Sequence, residues 1–228
     1  MPPNALPHDA KAGPTKSEVR AIVGSKLALE SDDHFAEVGS CTGAVTIDAA
    51  QRAGRVTALE RKPERLETTE RNLAANEESI RATVDLRNAE APDGLPVDAD
   101  ALFVGGSRNF EAVLDHAVET EIDRIVMNVS RLEVAGRATA AFRERDILEE
   151  VLQVQVSRGY ELAGATSFDS ENPVYVLVGS ATPESGGERQ PATDGGRSDP
   201  IADGGERDGS DLERAEGCES GDCGGHQR

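Results

Sequence analysis

The sequence predicts an α/β fold, with a mostly parallel seven-stranded sheet, helices on both faces and a final antiparallel strand pair. Short apolar runs alternate with amphipathic stretches over the first 145 residues, which favours a parallel sheet. A glycine-bearing turn, Gly39–Gly43, follows the first apolar run. The last two apolar runs, 148–157 and 173–179, have no helical stretch between them, as is typical of strands that pair antiparallel.

The N-terminal residues 1–13 contain three prolines and predict an arm rather than a packed element. A helix should begin near Thr15, because Glu18 follows three residues later in the spacing of a capping box. Apolar residues then recur on one helical face, at Val19, Ile22, Val23 and Leu27.

Glycine and proline predict the limits of the next helices. Gly54 should end a helix over 44–53. Pro63 suits the first turn of a helix over 64–76, where its missing N–H would have no partner anyway. The other predicted strands are 56–60, 83–86, 101–104 and 124–129, and the other predicted helices follow Phe110 and span 134–145.

The predicted domain spans 14–180, and residues 181–228 predict a disordered acidic tail. That tail holds 11 of the 23 glycines, and it has too little apolar surface to offset the entropy of ordering. It also contains Cys218, Cys223 and His226, which leave a metal site open but provide no clear fourth ligand. We therefore predict no metal.

The net charge of −19 argues against binding to nucleic acid or to anionic membranes, because it repels phosphate groups. Abundant acidic residues and few lysines indicate a salt-adapted, halophilic protein, with an ordinary acidic protein as the alternative. No apolar run reaches the ~20 residues that span a bilayer, and no signal peptide begins the chain. We predict a cytoplasmic protein.

The turn Gly39–Gly43 and Glu60 together predict a site for an adenosine ligand. Glu60 ends the second apolar run, 21 positions after Gly39, where a carboxylate can accept hydrogen bonds from both ribose hydroxyls. The turn lacks the Gly-Lys-Ser/Thr of a P-loop, and it lacks the glycines that a dinucleotide pyrophosphate requires. The expected ligand is therefore an adenosine compound without pyrophosphate.

The chain resembles the Rossmann-like class I S-adenosylmethionine-dependent methyltransferases and, more narrowly, the cobalt-precorrin carbon-15 methyltransferases that decarboxylate their substrate. The resemblance runs from about residue 7 to 180. Gly-Pro-Thr-Lys at 13–16 and Gly-Gly-Ser at 105–107 are its more specific parts, and the segments at 37–43 and 171–175 also match. It implies methylation of a tetrapyrrole at carbon 15, loss of the carbon-12 acetate carboxyl group, and a homo-oligomer, expected to be a tetramer.

The resemblance also implies which residues form the site. The implied S-adenosylmethionine contacts are Thr15, Gly39, Ser40, Cys41, Thr42, Gly43, Glu60 and Ala89, and we add their sequence neighbours Glu37 and Asn88 to the predicted cofactor site. Gly105 and Gly106 would let a flat substrate approach, Ser107 would hydrogen-bond to it, and Arg108 would pair with one of its carboxylates. No catalytic acid or base is assigned, since neither His8, His34 nor His116 fits that role.

Cys41 departs from the glycine that is usual in the family at this position. A side chain there would strain a left-handed backbone, and both a reactive thiol and an inert turn residue remain open. A polyanionic substrate also predicts a local basic patch, formed by Lys16, Arg20, Arg108 and Arg131.

Two other functions remain open. One is a class I methyltransferase that acts on another small molecule or on tRNA, although no basic face is visible in the sequence. The other is a non-catalytic adenosine-binding or assembly module, for which Cys41 would be the sign.

Overall fold

Strands and helices alternate along the chain as the sequence predicts. The computed structural model describes residues 4–10, 13–106 and 108–182. Its strands are β1 (His34–Val38), β2 (Arg55–Leu59), β3 (Thr83–Arg87), β4 (Ala101–Val104), β5 (Arg124–Val129), β6 (Leu148–Val154), β7 (Ser157–Leu162), β8 (Ala165–Ser170) and β9 (Val174–Gly179). Its helices are α1 (Ser17–Leu27), α2 (Ala44–Ala50), α3 (Pro63–Ala74), α4 (Phe110–Glu119) and α5 (Leu132–Glu144), with a 3₁₀ turn at Glu77–Ser79.

Seven strands form one sheet in the order β3-β2-β1-β4-β5-β9-β6. The pairs among β1 to β5 are parallel, and β9 lies antiparallel between β5 and β6. The predicted mostly parallel sheet with a final antiparallel pair is therefore confirmed. The strand order reverses between β1 and β4, and the crevice beyond such a reversal is where open α/β sheets bind ligands.

Both faces of the sheet are buried, as the near-continuous apolar strands require. Successive side chains of β5 point to opposite faces, so that Ile125 and Met127 pack in one core and Val126 in the other. Helices α4 and α5 contribute Leu114 and Phe142 to the first core, whereas α1 and α2 contribute to the second. The two layers hold the strand ends, and therefore the site, in a fixed geometry.

The predicted capping box at Thr15 is wrong. Helix α1 begins at Ser17, and its N-cap residue, Lys16, makes no side-chain cap hydrogen bond. Glu18, the other half of the predicted box, forms an ion pair with Arg158 instead, at 2.6 Å. The carboxylate that should fold back onto the helix start is thus engaged with the hairpin that follows β6.

Gly54 does not end α2, because the helix stops at Ala50 with Gln51 as its C-cap. The need for glycine has a different origin. A Cβ at residue 54 would lie 2.5 Å from the carbonyl oxygen of Ser31, so any side chain would displace the backbone of the loop between α1 and β1. Pro63 lies in the first turn of α3, as predicted.

The hairpin β7–β8 was not predicted, since a loop was expected over 158–172, between the two predicted strands. Its strands pair antiparallel from Ser157↔Ser170 to Leu162↔Ala165. They are almost fully exposed, so neither face shows the apolar alternation by which a strand is recognised. Both residues of its two-residue turn, Ala163 and Gly164, have positive φ, as in the turns that two-residue hairpins prefer. Ala-Gly is not among the commonest sequences for such a turn, so the sequence did not indicate it.

The first described segment, 4–10, has no helix or strand but is bound to the domain. Asn76, which lies just beyond the end of α3, accepts a hydrogen bond from Ala5 N–H and donates one to its carbonyl. Asn72, one turn earlier on the helix, does the same for His8. Two asparagines four residues apart therefore bind this segment much as a neighbouring strand would.

Candidate functional site

A cleft of about 370 Å³ opens at the carboxyl ends of the parallel strands, where the strand order reverses. This volume falls in the range of small-molecule sites. Most of the residues singled out from the sequence line it: Thr15, Glu37, Gly39, Ser40, Cys41, Thr42, Glu60, Ala89, Gly105, Gly106 and Arg108. Gly43 and Asn88 are not in the lining, and Ser107 is outside the described residues.

The turn from β1 to α2 has an unusual backbone that explains its glycines. Gly39, Cys41 and Gly43 all have positive φ, at 87°, 56° and 75°. Gly43 must also be small, because a Cβ there would lie 3.0 Å from the Thr69 methyl carbon and 3.3 Å from its Cα. The N–H groups of Gly39 and Ser40 both donate to the carbonyl of Leu59, at 2.7 and 3.1 Å, which fixes the turn against β2.

Helix α3 supports this turn from below. The Thr69 hydroxyl donates to the carbonyl of Cys41 at 3.1 Å, and the Ser40 hydroxyl lies 3.0 Å from the Thr69 oxygen. Asn72 donates to the carbonyl of Thr42 at 2.8 Å. Thr69 and Asn72 are both fully buried, so the turn rests on a rigid polar face of α3. Sequence reasoning missed both residues.

Glu60 and Asn88 lie at the ends of β2 and β3. Glu60 is only 5% exposed, and its Oε1 accepts a hydrogen bond from Lys62 N–H at 3.0 Å. No described residue donates to its other carboxylate oxygen. Asn88 donates to the carbonyl of Glu60 at 2.8 Å, so the geometry gives it a supporting place behind Glu60 rather than one in the cleft.

Glu37 is a buried acid in the cleft wall, next to the last residue of β1. It is 1% exposed, and its Oε2 accepts a hydrogen bond from the Thr46 hydroxyl at 2.5 Å. Burial raises the pKa of Glu37 to about 7, and the charges of Glu60 and Asp48 act in the same direction. Near neutral pH both the protonated and the ionised forms of this carboxyl group are therefore populated, and a cation placed beside it would favour the ionised form.

The turn after β4 lies against the turn after β1. A Cβ at Gly105 would lie 3.2 Å from the carbonyl oxygens of both Val38 and Gly39. Glycine is therefore needed there to keep the two turns together. Gly106 has open space where a Cβ would point, and Arg108 forms an exposed ion pair of 3.4 Å with Glu90 at the mouth of the cleft.

Of the predicted basic patch, three members already have partners within the protein. Lys16 pairs with Glu171, Arg20 with Asp48, and Arg108 with Glu90, while Arg131 is exposed at the start of α5. Two arginines that the sequence analysis did not single out, Arg61 and Arg65, also line the cleft, and the described ion pairs include neither. The positive charge that is not already paired within the cleft lining is thus carried by Arg61 and Arg65 rather than by the residues that we predicted.

The histidines have structural contacts. His34 is buried at the start of β1, the opposite end of the strand from the cleft, and its Nε2 lies 2.8 Å from the Thr57 hydroxyl. His116 Nε2 lies 3.0 Å from the carbonyl of Pro96. His8, bound to Asn72 through its backbone, is not in the cleft lining.

Two negative findings concern the described residues. No helix there is long and apolar enough to cross a membrane. No group of three or more histidine, cysteine or acidic residues in that part of the chain is arranged to hold a metal ion. Cys218, Cys223 and His226, whose metal site was left open above, lie outside the described residues.

Cys41 adopts the left-handed conformation that the sequence analysis flagged as strained, with φ of 56°. Burial raises the pKa of its half-buried thiol, and the nearby Arg65 guanidinium acts in the opposite direction. A raised pKa keeps the sulfur protonated at neutral pH, which argues against a nucleophilic role.

The strain at Cys41 predicts an order of stabilities. Cys41→Gly should be more stable than Cys41→Ala by about 1 kcal/mol, because only glycine adopts positive φ without a Cβ clash. Both variants remove the thiol, so alanine is the matched control for the backbone effect. Urea unfolding at fixed salt measures the difference. Equal stabilities, or a more stable alanine variant, would contradict the strain.

Asn128 is the cleft residue that sequence reasoning missed most clearly. It lies near the end of β5 and is the one uncharged polar side chain in the run Arg124–Val129. Both polar atoms of its amide are buried, and within the described residues neither has a hydrogen-bond partner. A polar residue at the carboxyl end of an apolar strand, on the same edge as Gly39 and Gly105, could have indicated it.

Known proteins resemble the chain over most of its length. The family model of the precorrin methyltransferase domain matches residues 5–180. The relative named probable cobalt-precorrin-6B C(15)-methyltransferase (decarboxylating), from Halobacterium salinarum, is 74% identical over 189 residues, which cover 83% of this chain and all of the relative.

Two solved structures share the fold at a similar level. The precorrin 8W decarboxylase of Methanobacterium thermoautotrophicum is 29% identical with a TM-score of 0.69, and the match covers 75% of this chain and 95% of that one. The precorrin-6y C5,15-methyltransferase of Geobacter metallireducens is 32% identical with a TM-score of 0.67, covering 75% and 93%. Together with the cleft at the strand reversal, these matches show that the chain belongs to the precorrin methyltransferase domain family.

Proposed function

We propose that the protein transfers a methyl group from S-adenosylmethionine to carbon 15 of a cobalt-precorrin and removes the carboxyl group of the carbon-12 acetate. The observation that carries this proposal is the 74% identity to a relative of that name over its entire length. The cleft fits the proposal, because its glycine turn and Glu60 lie on neighbouring strand ends. The proposed pathway is anaerobic cobalamin biosynthesis.

The residues present suit the proposed cofactor. The carboxylate of Glu60 has an oxygen without a described donor and would accept hydrogen bonds from the ribose hydroxyls. Ala89 would face the adenine. Thr15, Glu37 and the turn from Gly39 to Gly43 would surround the methionine end, with Gly43 and Asn88 acting by shaping the turn and holding Glu60.

S-adenosylmethionine supplies an electrophilic methyl group. The residues of the cleft would orient the two reactants and exclude water from them. Methyl transfer needs the acceptor carbon close and in line, which orientation alone can accelerate strongly. The cleft is small for two ligands, so the macrocycle would lie across its mouth, over Gly105 and Gly106. There Arg108 would pair with a substrate carboxylate and Ser107 would donate a hydrogen bond.

Glu37 predicts a pH dependence with a definite sign. Its pKa rises from an ordinary value of 4.5 to about 7 on folding, so the folded protein binds the proton more tightly. Without ligand, stability should therefore be greatest below pH 4.5 and fall by about 3 kcal/mol as the pH rises through 7, as far as this group contributes. Measured unfolding free energies at several pH values test this, and Glu37→Gln should remove that part of the slope.

Binding of the cofactor should lower the pKa of Glu37 again. The positive sulfonium and ammonium groups favour the ionised carboxylate, so binding at pH 6 to 7 should release a proton. Calorimetry in two buffers of different ionisation enthalpy measures that release. Equal proton release by the wild type and by Glu37→Gln would show that another group titrates.

The function is tested by incubating the protein with labelled S-adenosylmethionine and a cobalt-precorrin intermediate. The expected product has gained one methyl group and lost one carbon dioxide. A gain of methyl alone would leave the decarboxylation unsupported. Transfer to tRNA or to another small molecule, in place of the precorrin, would support the alternative methyltransferases. A lack of cofactor binding by calorimetry would leave only a non-catalytic module.

We further propose a salt-adapted, cytoplasmic homo-oligomer, a tetramer by resemblance. The charge of −19 supports salt adaptation, as does a 74% identical relative from a halophile. Exposed Tyr160, Leu162 and Phe168 on β7–β8 support association between copies. Light scattering in high salt measures the oligomer.

The boundary at 180, where the family match ends, stays a proposal that deletion of residues 183–228 would test.

A further inference from the structure

The amide of Asn128 lacks the partners that a buried polar group needs. Its Nδ2 and Oδ1 have almost no contact with solvent, and no described residue forms a hydrogen bond with either. Buried polar groups in native proteins are nearly always satisfied, and an exception in a cleft indicates a partner that binds there. Because Asn128 lines the cleft, a ligand can supply that partner.

The position of Asn128 in the sheet separates it from the proposed cofactor contacts at the ends of β1, β2 and β3. Strand β5 pairs with β4, and β4 pairs with β1, so two strand spacings divide Asn128 from the turn after β1. Glu60 and Ala89 lie beyond β1, at the ends of β2 and β3. The Gly105–Gly106 turn stands between the two groups. Asn128 therefore faces the part of the cleft that the proposed function gives to the methyl acceptor.

Among the described residues, neither the strand partner of Asn128 nor the lysine in the cleft lining forms a hydrogen bond with its amide. Its register partner across β9 is Val176, which is fully buried and apolar, and Val174 lines the cleft beside it. Lys16, another lining residue, is held by Glu171 at 2.8 Å and by the carbonyl of Asn172 at 2.9 Å. The strand neighbour of Asn128 is thus apolar, and the lysine in the same cleft lining is already paired.

We propose that Asn128 is a substrate-binding residue whose amide N–H donates to a side-chain carboxylate of the tetrapyrrole and orients the ring over Gly105–Gly106. The inference rests on the proposed function and adds a recognition contact to it. A neutral amide suits a buried place, since it binds a carboxylate without the cost of desolvating a second charge. Oδ1 is left to accept a hydrogen bond from a water or from another group of the same ligand.

The first test uses the sign of a stability change. Asn128→Leu has a similar size and removes both unsatisfied atoms, so the ligand-free protein should melt about 2 °C higher or more. The matched control is Asn72→Leu, which removes a buried amide whose bonds are all made and should lower the melting temperature. A structural role for Asn128 predicts a lower melting temperature in both variants and would overturn the proposal.

The second test is kinetic. With cobalt-precorrin and S-adenosylmethionine, Asn128→Leu and Asn128→Ala should raise the KM for the precorrin about tenfold, with a smaller change in kcat. Asn128→Asp should raise it about a hundredfold, because two carboxylates then face each other. This extra penalty should disappear with a substrate analogue whose carboxylates are converted to primary amides. The Kd for S-adenosylmethionine should stay within about twofold throughout.

The outcomes separate this inference from the proposed function. If the wild type does not methylate the precorrin, the function fails and the inference fails with it. If the wild type is active but all three variants keep its KM, Asn128 does not bind the substrate and only the inference fails. A parallel loss of S-adenosylmethionine binding would place Asn128 on the cofactor and would also overturn it.

Discussion

Replacement of Glu60 by alanine is expected to weaken the binding of S-adenosylmethionine by about 100-fold. In the proposed complex its carboxylate accepts hydrogen bonds from both ribose hydroxyls, and each bond to a charged acceptor contributes about 1.5–3 kcal/mol. Glu60 is 5% exposed, so water would replace these bonds poorly. Isothermal calorimetry at constant pH and salt measures the change.

The matched control for this experiment is Glu60→Gln. Glutamine has nearly the same size and retains an oxygen that accepts the hydrogen bond from Lys62 N–H, so the start of α3 should keep its structure. It loses the charge and one acceptor, and a loss of about tenfold is expected. If the alanine variant binds the cofactor as well as the wild type, the ribose lies elsewhere and our assignment of the cleft is wrong.

Asn72 should have the second large effect, on both stability and cofactor binding. It is fully buried, exchanges two hydrogen bonds with the His8 backbone and donates a third to Thr42 in the glycine turn. Asn72→Ala leaves all three backbone groups without their partner. We expect a loss of about 3 kcal/mol in the free energy of unfolding and about tenfold weaker binding of S-adenosylmethionine.

Asn76→Ala is the matched control, which separates the effect of the Asn72–Thr42 hydrogen bond from that of the bonds to the N-terminal segment. Asn76 makes the same pair of bonds to Ala5, but its other donation within the described residues is to the carbonyl of Asn72, not to the turn. It should cost about 1 kcal/mol in the free energy of unfolding and leave the Kd for S-adenosylmethionine within about twofold. Chemical denaturation and calorimetry on both variants provide the comparison. Equal losses of cofactor affinity would show that the N-terminal segment, rather than the bond to Thr42, sets the affinity.

Local patterns predicted most of the architecture. The strand β5 was predicted at its observed bounds, 124–129, because its apolar residues, interrupted only by Asn128, are typical of a strand buried on both faces. Phe110, Val113, Leu114 and Ala117 were predicted on one helix face, and all four are buried. The hairpin β7–β8 was missed for the same reason: with almost no buried side chain, its strands leave no periodic apolar pattern.

The wrong predictions concern residues whose role is set by a contact with a residue that is distant in sequence. Gly54 has the sequence position of a glycine that ends a helix. The structure requires glycine there because the backbone of Ser31, in the loop between α1 and β1, lies against it. Thr15 and Glu18 have the spacing of a capping box, but Arg158, 140 residues away, binds the carboxylate. A local motif predicts only what its own neighbours can do, and a stronger distant partner overrides it.

The sequence by itself determined the strand–helix alternation, the glycine turn, the acid at the end of β2 and the resemblance to a methyltransferase family. These depend on short-range patterns of burial and backbone freedom, which neighbouring residues encode. Only the tertiary structure decided that Asn72 links the N-terminal segment to the turn, that Gly105 must be small, and that no described residue bonds to the Asn128 amide. Each of these depends on which groups meet across distant parts of the chain, and hydrogen-bond satisfaction is a property of the packed molecule.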